Sequence, residues 1–367
     1  MGTWRTRWEQ ARRDVDVLRR RLMGERLSPI VHDHFGAPRE PVAGNVPSRS
    51  LGYRSFRVTR AVRETSDATS LYLRAEDGDA VTFNAGQFLS LEVEVDGDSH
   101  RRAYSIAAAE GAPLHVTVKA VEGGRVSPRL VNAQAGEVFR VLGPSGAFGL
   151  NGSASGLFVA GGSGITPIIS MVETLLRNGG RCALVYANRH ARSVIFHERL
   201  KALESEHGAR LTIMHRFDDR DGPLNGPALA SLIAGVDDET PAYLCGPAGM
   251  MDALRSTLQA RSASLYEESF LSAQADAAST IAHHTMRLGE READVAPGET
   301  LLEAGLAAGL EMPFSCAVGG CAACRVRLVT GGAEMDEPNC LTAEERKQGY
   351  ILACCSRPTS DCEIELS

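Results

Sequence analysis

The sequence lacks the features that would place it in a membrane or outside the cell. Its 367 residues contain no apolar run of about 18 residues, the length that a membrane-spanning helix needs. No stretch resembles a secretory leader, and there are no internal repeats. A His-rich box and a Rieske-type Cys-x-His pair are also missing, so we expect any oxygen chemistry to take place on another protein. The sequence therefore predicts a cytoplasmic protein of two or three domains.

Cysteine occurs nine times, an odd number without the spacing of a disulfide framework, which favours a reducing compartment. Four of the nine follow the spacing C-x4-C-x2-C with a distant fourth member, which is typical of plant-type [2Fe–2S] clusters. These four are Cys316, Cys321, Cys324 and Cys354. A zinc ribbon is the alternative, but it usually has two C-x2-C pairs and only one is present. We therefore predict a [2Fe–2S] cluster.

Charge is distributed unevenly along the chain. Residues 283–367 carry 7 Lys and Arg against 14 Asp and Glu, whereas residues 1–50 carry 10 against 6. The acidic C-terminal segment argues against nucleic-acid binding there. It suits an electron carrier that meets a basic surface on its partner, although an acidic surface can also serve solubility alone.

Hydrophobic periodicity divides the chain into five segments. Residues 1–50 form an N-terminal extension with an amphipathic helix. Six short alternating strands over 51–152, among them Phe88–Val95, predict an antiparallel β-barrel. Four apolar strands alternating with helices over 153–270, the last of them Pro241–Cys245, predict an α/β domain with a parallel sheet. Residues 271–282 have the small, polar composition of a linker. Residues 283–367 hold the cysteine motif in an α+β segment.

A flavin site is predicted on the barrel. Arg102, Ala103, Tyr104 and Ser105 lie on one predicted strand, and its period of two puts Arg102 and Tyr104 on the same face. They would supply a cation for the phosphates, a ring to stack on the isoalloxazine and, from Ser105, a donor near flavin N5. A glycine-rich turn over 123–127 follows, which favours a phosphate close to backbone N–H groups. The alternative is an ordinary surface hairpin.

A nicotinamide-nucleotide site is predicted on the parallel sheet. The turn Gly161–Pro167 stands between an apolar strand and a helix, where free N–H groups and the positive helix end favour a pyrophosphate. The third glycine of the Rossmann fingerprint is replaced by Pro167. Cys245, Gly246 and Pro247 follow another strand at the sheet edge where ligands bind. Cys245 is expected near the transferred hydride, although a buried small hydrophobe is the alternative.

The choice of nucleotide is predicted from the residues after the second strand of this sheet. Asn188, Arg189 and Arg192 stand where an NAD enzyme often has an acid for the ribose 2′-OH. Arginine suits a 2′-phosphate, so NADPH is favoured. The alternative is that Arg189 is a solvated residue at the start of a helix.

These motifs together resemble the ferredoxin–NADP⁺ reductase superfamily fused to a C-terminal plant-type ferredoxin, over about residues 51–367. The resemblance implies a multidomain protein with a β-grasp ferredoxin domain. It implies FAD, a [2Fe–2S] cluster and NAD(P)H as cofactors, in a reductase component that serves an external oxygenase, hydroxylase or membrane fatty-acid desaturase. In that family L-x-C-x-x-x-P carries the fourth ligand, which favours Cys354 over the adjacent Cys355 because Pro358 is correctly spaced.

The resemblance also assigns roles to residues. Ser105 and Cys245 are expected at the site of hydride transfer. Further residues are expected to contact FAD or the nucleotide: Arg102, Ala103, Tyr104, Lys119, Gly124, Val126, Ser127, Phe148 (stacking on adenine), Gly162, Gly164, Thr166, Asn188, Arg189, Arg192, Gly246 and Pro247.

Two further hypotheses come from the residues. Trp4, Trp8 and Leu18 belong to an apolar helical stripe beside a basic face, which predicts either contact of residues 1–27 with an anionic membrane or a partner, or simple packing on the barrel. A redox sensor or scaffold, or a diaphorase without a dedicated partner, remains the alternative function.

Overall fold

The computed structural model describes residues 53–270, 282–314, 316–320, 322–336 and 339–366. These residues form two compact units, one made of 53–270 with the short segment 316–320, and the other of the remaining residues from 282 onward. The predicted N-terminal extension and residues 271–281 of the predicted linker lie outside the described residues. Within the described ranges, no helix is long and apolar enough to cross a membrane.

The first unit begins with a six-stranded antiparallel sheet in the order β4-β3-β6-β1-β2-β5. Its strands are β1 (Arg54–Thr65), β2 (Ala68–Ala75), β3 (Phe88–Val95), β4 (Asp98–Ser105), β5 (His115–Lys119) and β6 (Val138–Ser145). An antiparallel bridge between Ile106 and Val116 joins the two edges, so the sheet closes into a barrel.

The barrel forms because alternate residues of its strands are apolar and point inward. Phe56, Val58, Leu89 and Leu91 are at most 1% exposed. The short helix α1 (Val126–Val131) adds Leu130 and other apolar side chains to the same core. All six predicted strands are present, and β3 has the bounds that the sequence predicted.

A five-stranded parallel sheet follows in the order β11-β10-β7-β8-β9. Its strands are β7 (Ser155–Gly161), β8 (Arg181–Asn188), β9 (Leu211–Phe217), β10 (Ala242–Cys245) and β11 (Leu265–Glu268). The connecting helices are α2 (Ile165–Arg177), α3 (His197–His207), α4 (Asp218–Asp221), α5 (Gly226–Leu232) and α6 (Ala248–Gln259). Apolar cores cover both faces of the sheet, as parallel sheets require. The sequence did not predict β11.

The second unit is an α+β fold with the mixed sheet β13-β12-β18-β14-β16. Its strands are β12 (His284–Leu288), β13 (Arg291–Val295), β14 (Arg325–Thr330), β16 (Tyr350–Leu352) and β18 (Cys362–Leu366), with β15 (Ala333–Met335) and β17 (Ser356–Pro358) as a separate pair. Helices α7 (Leu301–Ala307) and α8 (Ala343–Lys347) complete it. β18 runs parallel to β12 and antiparallel to β14, which makes it the central strand.

Candidate active site

The carboxyl ends of three parallel strands bring the central site residues together. Ala160 on β7 is in register with Cys245 on β10, which is in register with Glu268 on β11. Cys245 is fully buried, and burial raises the pKa of its thiol well above the ordinary value. The thiol is therefore neutral and polarisable at physiological pH. Ligands bind at this edge in open α/β sheets, because the strands and loops diverge there.

Glu268 is a site residue that the sequence analysis missed. Burial raises the pKa of its carboxyl from 4.5 to about 8, and a hydrogen bond with Ser105 acts in the opposite direction. Its Oε2 atom is buried without a hydrogen-bond partner among the described residues. The structure therefore places a protonated acid beside the serine that the barrel contributes. No motif marks this glutamate, because only the pairing of β11 with β10 brings it to the site.

Glycines allow the site backbones to approach closely. A Cβ on Gly164 would overlap the carbonyl oxygen of Cys245, and a Cβ on Gly246 would lie 3.1 Å from the Gly161 nitrogen. Gly162 has a φ of +52°, which glycine adopts without strain. Gly164 is thus required by packing of the α2 start against β10, a reason that the sequence did not suggest.

Residues predicted for the nucleotide gather around this turn. Lys119 on the barrel lies close to Gly162, since its Nζ would be 4.0 Å from a Cβ added to that glycine. The same ammonium forms an ion pair with Asp67 at 3.7 Å. Asn188 is 4% exposed, and neither amide atom has a hydrogen-bond partner within the described part of the chain. Thr166 instead donates its hydroxyl to the Ser163 carbonyl at 3.0 Å, so it caps the turn.

The two arginines predicted for a 2′-phosphate are exposed at the carboxyl end of β8. The carbonyl of Arg189 accepts a hydrogen bond from the Asp219 N–H at 3.1 Å. This contact brings the acidic helix α4 next to Arg189. Gly246 and Pro247 lie between β10 and α6, with Gly246 buried and Pro247 exposed.

The residues predicted for FAD lie on β4 and α1. Arg102 and Tyr104 are half-buried on one face of β4, whereas Ala103 is exposed. Burial raises the pKa of the Tyr104 hydroxyl, which is consequently neutral. Ser105 is 4% exposed at the end of the strand. The site thus has a cation, an aromatic ring and a hydroxyl along one strand.

The turn before α1 is tightly packed. The Ser127 hydroxyl accepts a hydrogen bond from the Val121 N–H at 3.0 Å, and a Cβ on Gly124 would lie 3.1 Å from the Val121 carbonyl. The Val126 side chain belongs to the barrel core, so a contact with FAD would have to come from its backbone.

Phe148, which is predicted to stack on adenine, packs in the core of the nucleotide domain. Phe148 is 8% exposed, and its ring packs edge-on against Tyr243 with centroids 6.2 Å apart. This packing does not test whether the ring contacts adenine, so the role of Phe148 stays a prediction.

The predicted cluster ligands are buried wherever the structure describes them. Cys316, Cys324 and Cys354 are at most 3% exposed, and Cys321 lies outside the described residues. No group of three metal-ligating side chains occurs within the described ranges, which leave out Cys321. The Cys355 thiol donates to the Leu352 carbonyl at 3.7 Å, which supports Cys354 as the fourth ligand.

The backbone around Cys316 suits a thiolate. The N–H groups of Val318 and Gly320 donate to its sulfur at 3.5 and 3.3 Å. Ala317 and Ala322 have φ values of +54° and +56°, which cost about 1–3 kcal/mol each and persist only where the surroundings demand them. Such N–H···S bonds and left-handed residues fit an iron–sulfur loop. Likewise, the unpartnered buried atoms of Glu268 and Asn188 fit a flavin and a nucleotide.

Three family models match successive parts of the chain. They are the oxidoreductase FAD-binding domain at residues 55–149, the oxidoreductase NAD-binding domain at 158–256 and the 2Fe-2S iron-sulfur cluster binding domain at 286–359. Together they cover both units in the order that the sequence predicted.

Known proteins match nearly the whole chain. The ferredoxin reductase component of 3-ketosteroid-9-alpha-monooxygenase from Mycobacterium tuberculosis (strain H37Rv) is 36% identical over 335 residues, covering 83% of this chain and 93% of the relative. A component of the 1,2-phenylacetyl-CoA epoxidase from Escherichia coli (strain K12) is 30% identical over 350 residues, covering 85% and 97%.

Among solved structures, phthalate dioxygenase reductase, described as a modular structure for electron transfer from pyridine nucleotides to [2Fe–2S], aligns with a TM-score of 0.65 at 25% identity. The match covers 86% of this chain and 98% of that one.

The chain therefore belongs to the family of ferredoxin reductase components that combine flavin-, nicotinamide- and [2Fe–2S]-binding domains in one polypeptide. It is an oxidoreductase that transfers electrons from NAD(P)H through FAD and a [2Fe–2S] cluster. The predicted family, fold class and enzyme class are confirmed. The individual ligand assignments and the domain boundaries stay predictions.

Proposed function

We propose that this reductase takes electrons from NADPH at the carboxyl edge of its parallel sheet and delivers them to a terminal oxygenase, hydroxylase or membrane fatty-acid desaturase. The observation that carries the proposal is the meeting of Ser105, Cys245 and Glu268 at that edge. When bound, FAD accepts a hydride and releases electrons singly, which matches a two-electron donor to a one-electron cluster.

Each of the three residues has a role that its environment supports. Glu268 keeps its proton at neutral pH because burial raises the pKa of its carboxyl to about 8. Its hydrogen bond with Ser105 would hold the serine side chain in place where FAD binds. The buried, neutral thiol of Cys245 would keep water away from the path of hydride transfer.

The nucleotide preference that we propose rests on charge. Arg189 and Arg192 are exposed at the end of β8, where a ribose phosphate would bind. The acidic helix α4 beside Arg189 acts in the opposite direction, because its carboxylates repel a phosphate. We expect kcat/KM to favour NADPH, and replacing both arginines by alanine should raise KM for NADPH much more than KM for NADH.

Arg181→Ala is the matched control for these arginines, since this exposed arginine begins the same strand at the opposite edge of the sheet. A wild-type preference for NADH, or equal effects of the control and the double variant, would show that Arg189 and Arg192 are only surface charges.

The partner assignment rests on the named relatives, which are components of a monooxygenase and of an epoxidase. These relatives support an oxygenase as the electron acceptor. A desaturase is proposed from the amphipathic sequence of residues 1–27, which lies outside the described residues. Deleting residues 1–27 should leave ferricyanide reduction unchanged and reduce sedimentation with anionic liposomes; without liposome binding by the full chain, the membrane contact is excluded.

One experiment tests the electron path. NADPH-dependent reduction of ferricyanide and of cytochrome c is measured for the wild-type protein and for Cys354→Ser. We expect the variant to retain ferricyanide reduction, which needs only the flavin, and to lose most cytochrome c reduction. No reduction of ferricyanide by NADPH or NADH in the wild type would leave a redox sensor or scaffold as the better interpretation. A cytochrome c rate that does not depend on Cys354 would favour a diaphorase.

A further inference from the structure

A partly buried ionic cluster lies where the barrel meets the parallel-sheet domain, and the function proposed above gives it no role. Its centre is Arg199 on α3, whose Nε forms an ion pair with Glu173 on α2. The same guanidinium crosses to the barrel. Nη2 donates to the Ala107 carbonyl at 3.0 Å, and Nη1 contacts His115 Nε2 on β5 at 3.2 Å. One side chain thus joins two helices of one domain to two segments of the other.

The barrel side of this cluster is fixed in one state. His115 Nδ1 lies 3.0 Å from the Pro113 carbonyl, so Nδ1 carries the proton and Nε2 is left to accept from Arg199. Burial lowers the pKa of His115 to about 4, which keeps the ring neutral at physiological pH. The ring also stacks on Tyr72, with centroids 4.5 Å apart. The arginine therefore meets a rigid acceptor rather than a competing cation.

The part of the cluster in the nucleotide-binding domain is equally constrained. Glu173 is 7% exposed, and its other cationic neighbour, Arg177, is 3.9 Å away and mostly exposed. Phe196, immediately before α3, has a φ of +64° although it is a buried aromatic residue, and Arg199 lies over its ring at 5.2 Å. A bulky residue persists in this conformation only where its surroundings hold it. The start of α3 is thus held in a strained but fixed geometry.

Both ends of the cluster are close in sequence to residues of the proposed site. Ala107 follows Ser105 by two residues, and α3 begins where the loop that carries Arg189 and Arg192 ends. Two neutral hydrogen bonds cross the same boundary nearby. The Ser170 hydroxyl donates to the Ala108 carbonyl at 2.6 Å, and the Glu110 N–H donates to Thr174 Oγ1 at 3.0 Å.

We propose that Arg199 is a positioning residue, which together with Glu173 and His115 locks the nucleotide-binding domain against the flavin barrel at the distance and angle that hydride transfer requires. This inference rests on the proposed function. Arg199 touches neither reacting group; it acts through Ala107 and α3. Hydride transfer is sensitive to such alignment, since a misplacement of about 1 Å can cost roughly 100-fold in rate.

The test uses the FAD-loaded protein with Arg199→Gln, Arg199→Lys and Ser170→Ala. The control is Arg210→Gln, because Arg210 is also partly buried and donates to two carbonyls, those of Leu176 and Gly180, but only within the nucleotide domain. Anaerobic rapid mixing with NADPH over a range of concentrations gives the limiting rate of flavin reduction and the nucleotide Kd. The rate of backbone hydrogen exchange over residues 106–118 and 191–203 measures how firmly the contacts of Arg199 hold these segments, independently of turnover.

We expect Arg199→Gln to lower the limiting rate by roughly 10–100-fold with Kd changed less than about 2-fold. Exchange should become faster in both segments. Arg199→Lys should recover part of the rate, because one ammonium can hold Glu173 but not both barrel acceptors. Ser170→Ala, which leaves no buried charge, should lower the rate by a few-fold, and Arg210→Gln should leave rate and exchange in these segments unchanged.

Several results would overturn the proposal. One is a wild-type limiting rate in Arg199→Gln, or, if that variant does not fold, wild-type rates in both Arg199→Lys and Ser170→Ala. Another is a raised Kd with an unchanged limiting rate, which would make Arg199 a binding residue. An equal loss in Arg210→Gln would show a general stability effect. If the wild-type flavin is reduced by dithionite but by neither NADPH nor NADH, the proposed function itself fails.

Discussion

Replacing Glu268 by glutamine should remove a pH dependence of stability that the wild-type protein shows between about pH 4.5 and 8. In the unfolded chain this carboxyl has a pKa near 4.5, whereas in the folded protein partial burial disfavours its charged form and raises the pKa to about 8. Within that window the unfolded state binds fewer protons, so stability falls as pH rises, and it is fully present only below the unfolded pKa.

The size of the effect follows from the two pKa values. Each unit of pKa corresponds to about 1.4 kcal/mol, so going from pH 5.5 to pH 8 should cost this group about 3 kcal/mol. For domains of this size that is roughly 6–12 °C in Tm. Glutamine has no charge to bury and keeps the shape of the side chain, so the variant should lose less stability than the wild type over the same interval.

The assay is thermal unfolding of the FAD-loaded protein at several pH values, followed by flavin fluorescence on release. Glu267→Gln is the matched control, because it removes the neighbouring carboxylate that pairs with Arg255 at 3.1 Å and leaves Glu268 in place. The control should lower Tm at every pH and keep the wild-type slope. Equal slopes in the wild type and Glu268→Gln would refute the assignment of a protonated buried acid.

Three further predictions concern the cofactor sites. Serine at any of the four predicted cluster cysteines should abolish the EPR signal of the reduced cluster and leave flavin reduction by NAD(P)H unchanged. Cys355→Ser should keep the EPR signal. If Cys355→Ser loses the signal and Cys354→Ser keeps it, the fourth ligand is Cys355. Extraction should release FAD rather than FMN. Arg102→Ala should weaken flavin binding by about 1–3 kcal/mol in equilibrium dialysis, because a charge-assisted hydrogen bond is lost. Unchanged binding would show that Arg102 does not contact the flavin. Gly164→Ala should destabilise the nucleotide domain and weaken nucleotide binding in calorimetry because its Cβ overlaps the Cys245 carbonyl, while Gly249→Ala, which meets nothing within 4 Å, should be tolerated; equal behaviour of the two would contradict the packing argument.

The sequence predicted those elements in which apolar residues recur at the regular spacing of a strand or a helix. β3 alternates apolar and polar residues, and its predicted bounds, Phe88–Val95, are those of the structure. β11 was missed because its four residues are only partly buried and include two glutamates, with no apolar run to mark them. Its strand character comes from parallel pairing with β10, which is a tertiary property.

The residues of the candidate site also fall into two groups, those marked by a short motif and those placed only by tertiary contacts. Short motifs located the glycine turn, the β4 residues and the cluster cysteines, because close backbone approach and thiolate spacing are local requirements. Glu268 and Arg199 belong to no motif, and in the sequence each is one charged residue among many. Their importance arises from burial against partners far along the chain. The burial of Phe148 against Tyr243 was likewise not predicted, because the contact joins residues far apart in the sequence.

The register of the last strand of the parallel sheet has a consequence for how this protein is made. Ser105 and Glu268 are 163 residues apart in the sequence, and contacts between residues so far apart form slowly during folding. During synthesis the barrel and four of the five parallel strands can leave the ribosome before β11 exists. A nascent or truncated chain that stops short of β11 therefore has the glycine turn and the serine but lacks the carboxyl that hydrogen-bonds to Ser105. The candidate site is therefore complete only after the whole unit has been translated.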